Sequence, residues 1–124
     1  EWRQETPPTA EALIGLVFGG LRAWSQSPDW RGSGFTRAAM ELAWAPGHPA
    51  REAAAAQKTA VERALRDGLS NAGRADARGL AQALALLIEG AMVLRLIHGD
   101  GTWFDTAESA ALTLARRSSS GADG

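Results

Sequence analysis

The side chains best placed for chemistry are Glu89, Arg95 and His98, which fall within ten residues of one another near the end of the longest apolar run. Arg95 and His98 lie one helical turn apart, so together they could hold an anionic group. Two cations at the end of a helix are also favoured there by the helix dipole, whatever their task. His48, next to Pro49, suits a turn or a helix cap. The chain has no Cys and only two His, which removes thiol nucleophiles, disulfides and any recognisable spacing of metal ligands. The neighbouring glycines Gly19 and Gly20 sit inside a helical pattern and not between a strand and a helix, so they make no phosphate loop. Catalysis needs a nucleophile with a base, a carboxylate pair in a cleft or a metal cluster. None can be assembled, and neither catalysis nor a cofactor is expected.

These residues ride on Asp76 to Asp100, the run around which the chain is organised. Asp76 is placed to cap its first turn, and Gly99 to end it. At about 100° per residue, Leu80, Leu84, Leu87, Ala91 and Leu94 share a face, with Ile88 beside it. Leu86, Val93 and Leu96 lie well away from that face, leaving a narrow polar strip with Arg78, Gln82 and Glu89. The run approaches membrane-spanning length, but Gln82, Glu89 and Arg95 sit inside it, and a buried helix of a soluble protein is expected. A helix apolar on nearly all sides must be covered on nearly all sides. With 124 residues and one core, the second flank calls for another subunit.

Four more helices are predicted. The first starts at Thr6 or Thr9 and runs to about Ser25, with Leu13, Leu16, Val17, Gly20, Leu21 and Trp24 on one face and Ile14 and Phe18 extending the stripe. Its three glycines are either tolerated by packing or mark a soft helix beside a cavity. A short helix over Phe35–Trp44 turns Phe35, Ala38, Ala39 and Leu42 inward. Pro49 starts a third helix reaching Ala72, whose thin face of Ala53, Ala54, Ala60, Val61, Ala64, Leu65 and Gly68 either admits a close neighbour or leaves space. Lys58, Glu62 and Arg66 read as a solvated i,i+4 series on its outer side. The last helix spans Phe104–Arg117. No run alternates as a strand would, so the chain is all-α. Residues 1–8 read as a lead-in, with Trp2 the last packed residue of an upstream helix. Residues 9–117 form the domain, and 118–124 a disordered tail. No signal peptide is visible, and an opening Glu instead of Met suggests a fragment of something longer. The dominance of Arg among basic residues and the abundance of Ala fit a GC-rich bacterial coding sequence. A net charge of −1 argues against the chain holding nucleic acid by itself.

Three strings resemble a known family. Arg31-Gly32-Ser33-Gly34-Phe35-Thr36-Arg37-Ala38-Ala39-Met40-Glu41-Leu42 resembles the R-G-C-x-F-x-N-A-A-x-E segment of TetR-like bacterial transcriptional repressors. Pro46-Gly47-His48-Pro49-Ala50-Arg51-Glu52 is similar to their D-P-x-H-P-x-R-E, and Leu86-Leu87-Ile88-Glu89-Gly90-Ala91-Met92-Val93 to their L-L-x-D/E-G-A-x-V. The strings occur in the family's order and spacing, and the likeness covers about Thr9 to Arg117. Ser33 stands where Cys is frequent and Arg37 where Asn is, and no helix-turn-helix precedes them.

The resemblance implies a C-terminal ligand-sensing and dimerisation domain: a five-helix orthogonal bundle whose last two helices pair across a two-fold axis as a four-helix interface. It implies a cytoplasmic homodimer that meets DNA only through the missing N-terminal domain. It also implies a small hydrophobic or amphipathic inducer bound between the remaining helices and the inner face of the central one. By facing direction, Phe18, Leu21, Met40, Trp44, Gln57, Val61, Met92 and Arg95 are the candidate inducer contacts. Leu80, Leu84, Leu87, Ala91, Phe104, Ala107, Ala111 and Leu114 are the candidate dimer contacts. The alternatives are a helical dimerisation or protein-interaction module without a pocket, and a small helical enzyme resting on Glu89, Arg95 and His98.

Overall fold

The structure, a computed structural model, describes residues 9–123, with side chains described through Arg117. Among these residues there are five helices and no strand: α1 (Ala10–Trp24), α2 (Gly34–Glu41), α3 (Pro49–Asn71), α4 (Ala77–His98) and α5 (Thr102–Asp123). The expected lead-in, residues 1–8, lies outside the described residues. The backbone of α5 continues past Arg117 into the stretch read from sequence as a tail.

Local side-chain chemistry sets the helix ends. The Thr9 hydroxyl accepts the Ala12 N–H at 3.0 Å, Ser33 accepts that of Thr36 at 3.3 Å, and His48 Nδ1 accepts that of Ala50 at 3.1 Å. Each cap satisfies one of the donors that a helix start leaves orphaned, typically worth about 1 kcal/mol. Pro49 follows His48 in the first turn, where its fixed φ suits the helix. Gly99 closes α4 at φ 82°, a left-handed conformation that glycine adopts without steric cost. Asp76 departs from expectation. Its carboxylate makes no cap bond and instead takes a two-pronged pair of hydrogen bonds from Arg74, both at 2.9 Å. Arg74 also donates to the Ala115 carbonyl at 2.8 Å, so this corner joins α4 to α5.

α4 is the hub: it packs against both α3 and α5, while α1 leans on α5 and α3, and α2 rests on α3. The core gathers Ile14 and Phe18 of α1, Leu65 and Leu69 of α3, Leu80, Leu84, Ile88 and Met92 of α4, and Phe104 and Ala111 of α5. On α1 the buried flank is therefore Ala10, Ile14 and Phe18, whereas Leu16, expected inside, is 63% exposed. The apolar stripe of α1 is wide enough to be shared: one flank fills the core, and Leu13, Val17 and Leu21 sit half-buried beside it. α2 ends at Glu41, short of Trp44, and contains no buried residue, so Phe35 is exposed. With eight residues resting mainly on α3, it can bury nothing completely.

The connector between α1 and α2 is held by Trp30. Its ring meets Trp24 edge-on at 5.3 Å and Phe104 at 6.5 Å between centroids, and the Arg95 guanidinium lies 5.2 Å from its centroid. Arg95 also donates to the Ser25 carbonyl at 2.8 Å. Arg22 pairs with Asp105 and Glu108, joining α1 to α5. Gly68 marks a close approach of α3 to α1, since a Cβ there would lie 3.0 Å from a Leu13 methyl.

α4 is long and apolar enough to cross a membrane, and 33% of its most apolar window is buried inside the chain. Those buried residues place one side of α4 in a protein core. Much of the other side is uncovered.

Candidate functional site

The flank of α1 that does not enter the core faces α3 and α4 across a cleft of about 530 Å³. That volume falls within the range of small-molecule sites. Leu13, Val17, Gly20, Leu21 and Trp24 form one wall, and Gln57, Lys58, Val61, Ala64 and Leu65 the other, with Ser33 also at the lining. Ile88, Glu89 and Met92 of α4 complete it, and the buried Leu65, Ile88 and Met92 lie deepest. The sequence opens this space with small residues. A Cβ on Gly20 would meet nothing within 4 Å, and Ala64 stands on the α3 wall. The glycines of α1 thus include one beside a cavity. Packing tolerance suffices for Gly15 and Gly19, which do not line it.

A second hollow of about 360 Å³ lies under α2, lined by Thr36, Ala39, Met40 and Ala43 together with Ala85 of α4. Lys58, Val61, Ile88 and Glu89 line both spaces and form the partition between them. The partition is a polar network on an apolar base. Lys58 Nζ pairs with Glu89 Oε1, and the Thr36 hydroxyl donates to Glu89 Oε2 at 2.9 Å. Lys58 also donates to Ser33 Oγ at 3.4 Å. Lys58 and Glu89 are each about a third exposed, so solvent screens the pair and its net worth is about 1 kcal/mol or less. Its main effect is geometric, because it ties α2, α3 and α4 together at one point. Gln57 of the cleft wall differs from these: its Oε1 is buried and accepts no hydrogen bond from any described residue.

Four of the residues expected to contact an inducer line the cleft: Leu21, Gln57, Val61 and Met92. Met40 lies in the second hollow and is 65% exposed. Three fall elsewhere. Phe18 is fully buried in the core, and Trp44, 80% exposed, lines neither space. Arg95 is committed to Trp30 and Ser25 and borders a separate hollow with Arg22 and Gln26. His98 stacks on Trp103 at 5.1 Å instead of joining Arg95, and Glu89 is engaged with Lys58 and Thr36. The three residues of the enzyme alternative thus have separate partners. Among the described residues, no group of three His, Cys, Asp or Glu could hold a metal ion.

Lys58 was not legible as a site residue, and Glu89 stood out only alongside Arg95 and His98. Lys58 read as part of a solvated series with Glu62, yet it pairs across to α4. Leu13, Val17, Gly20 and Trp24 carried a partial signal in the width of the α1 stripe.

The expected dimer contacts require a larger correction. Leu80, Leu84, Ala91, Phe104, Ala107 and Ala111 are buried inside the single chain, and Leu87 is half-buried. They form the seam between α4 and α5 and the core beneath it, so they are unavailable to a second copy. Of the expected set, Leu114 alone is exposed. The uncovered apolar surface is the opposite side of α4, where Leu86 (72% exposed), Gly90, Val93 and Ile97 (66% exposed) recur at three- and four-residue spacing. On α5, Thr106, Ala110, Thr113 and Leu114 line a shallow furrow.

No protein-family model matches this chain, and neither a curated protein nor a solved structure matches it significantly.

Proposed function

We propose that this chain is the ligand-sensing and homodimerising domain of a TetR-like transcriptional regulator that works in the cytoplasm. The observation that carries this reading is the apolar cleft between α1, α3 and α4. The three ordered strings that resemble the family add support. So does the uncovered outer side of α4, which a second copy would bury. DNA would be met by a helix-turn-helix outside these residues, consistent with a net charge of −1.

The physical logic is a population shift. A ligand in the cleft touches α1, α3 and α4 together, so it favours whichever arrangement of those helices fits it better. Its effect on DNA binding is limited to its difference in affinity for the two arrangements, and the coupling is reciprocal. In a two-fold dimer built on α4, a change in the slope of α1 against α4 would alter the spacing of the two DNA-reading heads.

Nile red, a neutral apolar dye, is the probe for the test. Gly20→Leu places a side chain at the cleft mouth, and its Cβ meets no atom within 4 Å. It also replaces a helical glycine, which should offset any local strain by about 0.5–1 kcal/mol. The variant is expected to keep its thermal midpoint and to bind Nile red about tenfold more weakly, equivalent to about 1.4 kcal/mol. Unchanged dye affinity in a folded Gly20→Leu protein would count against the cleft as a binding site.

A further inference from the structure

We infer that the cleft and the hollow under α2 are two halves of one elongated chamber, and that its ligand carries a long unbranched hydrocarbon chain running through both; this rests on the ligand-sensing reading above. The two spaces share a floor. On α4, Ala85, Ile88, Glu89 and Met92 recur at three- and four-residue spacing, which sets them in one stripe along the helix. Met92 lines the cleft, Ala85 lines the hollow, and Ile88 and Glu89 line both. The stripe is two helical turns long, about 10 Å. On α3, Lys58 and Val61 likewise line both spaces. Where the spaces meet, apolar surface therefore continues from one to the other through Val61 and Ile88.

The Lys58–Glu89 pair, with the Thr36 hydroxyl on Glu89, stands across that surface. It is a weak barrier. Each charge is already about a third exposed, so both head groups can turn to water and stay solvated when they part. Each methylene laid on the floor in their place is worth about fourfold in affinity, so two or three offset the loss of the pair. The far half is also built to yield. Its roof is Thr36, Ala39 and Met40 of α2, a helix that buries no residue completely and rests mainly on α3. A chain is the shape that uses both spaces: the cleft of about 530 Å³ takes its broader end, and the hollow of about 360 Å³ its tail.

The test is a homologous series of alkan-1-ols from hexan-1-ol to dodecan-1-ol, each measured by displacement of Nile red from the folded protein. Potency is expected to rise about fourfold per methylene through the whole series. Ala39 and Ala85 line the hollow and not the cleft, so Ala39→Leu and Ala85→Leu each fill the far half alone. Both positions are helical, where leucine is nearly as favourable as alanine. In each variant hexan-1-ol should keep its potency and dodecan-1-ol should lose at least about tenfold, the worth of two methylenes, with Nile red still bound. Potency in the natural sequence that levels off before dodecan-1-ol would overturn the joined chamber and leave the cleft reading intact. So would a dodecan-1-ol potency that survives both substitutions, or a loss that hexan-1-ol shares in full. Displacement by no member of the series would overturn both.

Discussion

Replacing Phe104 with alanine is expected to lower the unfolding free energy by about 3–5 kcal/mol. Phe104 lies in the first turn of α5, is fully buried and meets Trp30 edge-on. Trp30 in turn carries the Arg95 guanidinium and packs on Trp24, so the emptied volume would lie where the α1–α2 connector, α4 and α5 come together. That junction cannot collapse without moving three elements, and cavities that cannot collapse fall in the upper part of the cost range. A domain of this size has about 5–15 kcal/mol in total, so the loss is a large share of its stability. Urea unfolding at one fixed protein concentration measures it: the midpoint should fall with little change in slope. A loss below about 1.5 kcal/mol, the scale of a single buried-methyl change, would show that Phe104 is not a core anchor.

Charging the outer side of α4 should leave the fold intact and abolish pairing. In Leu86→Glu/Ile97→Glu, two side chains that are 72% and 66% exposed in the single chain become carboxylates. Burial of each apolar side chain against a second copy would contribute about 1.5–3 kcal/mol, before the entropy of association is subtracted. Two-fold symmetry makes each substitution count twice. The double variant is expected to dissociate at least about 100-fold more readily, equivalent to about 2.7 kcal/mol. Its helical circular dichroism should match that of the unsubstituted protein, because neither residue belongs to the core. Sedimentation equilibrium of both proteins decides it. A natural-sequence chain that sediments as a single copy at about 100 µM would contradict homodimerisation, since an association free energy of only about 5.5 kcal/mol already pairs half the chains there.

What could be read from the sequence was local. Thr9, Pro49 and Gly99 mark helix ends because a cap, a fixed φ or a left-handed turn acts within a few residues. The existence of all five helices followed from the same kind of signal. Rotation of each helix about its axis was not legible. α4 is apolar around most of its circumference, so periodicity gives its pattern no phase, and Leu84 and Leu86 look equally suited to a core. In the structure Leu84 is buried and Leu86 is not, because α3 and α5 both sit on the Leu84 side. The same ambiguity moved the core flank of α1 from Leu16 to Ile14 and Phe18. Contacts between distant residues were equally hidden. Nothing in the neighbourhood of Lys58 points to Glu89, and nothing near Asp76 says that Arg74 will take the carboxylate intended for the helix start. Gln57 was legible as a polar residue on an otherwise apolar face, because an unusual residue type in a regular pattern is itself a signal.

The most direct test of the account is where an apolar ligand settles on the folded protein. Methyl-labelled protein titrated with Nile red and followed by NMR reports this at Val17, Leu21, Val61, Ile88 and Met92 on the cleft, and at Leu86, Ile97 and Leu114 outside it. The expected result is shifts confined to the cleft methyls, saturating at one dye per chain. Shifts confined to Leu86, Ile97 and Leu114, with the cleft methyls unmoved, would show that the dye merely coats an exposed surface and would contradict a ligand-sensing role.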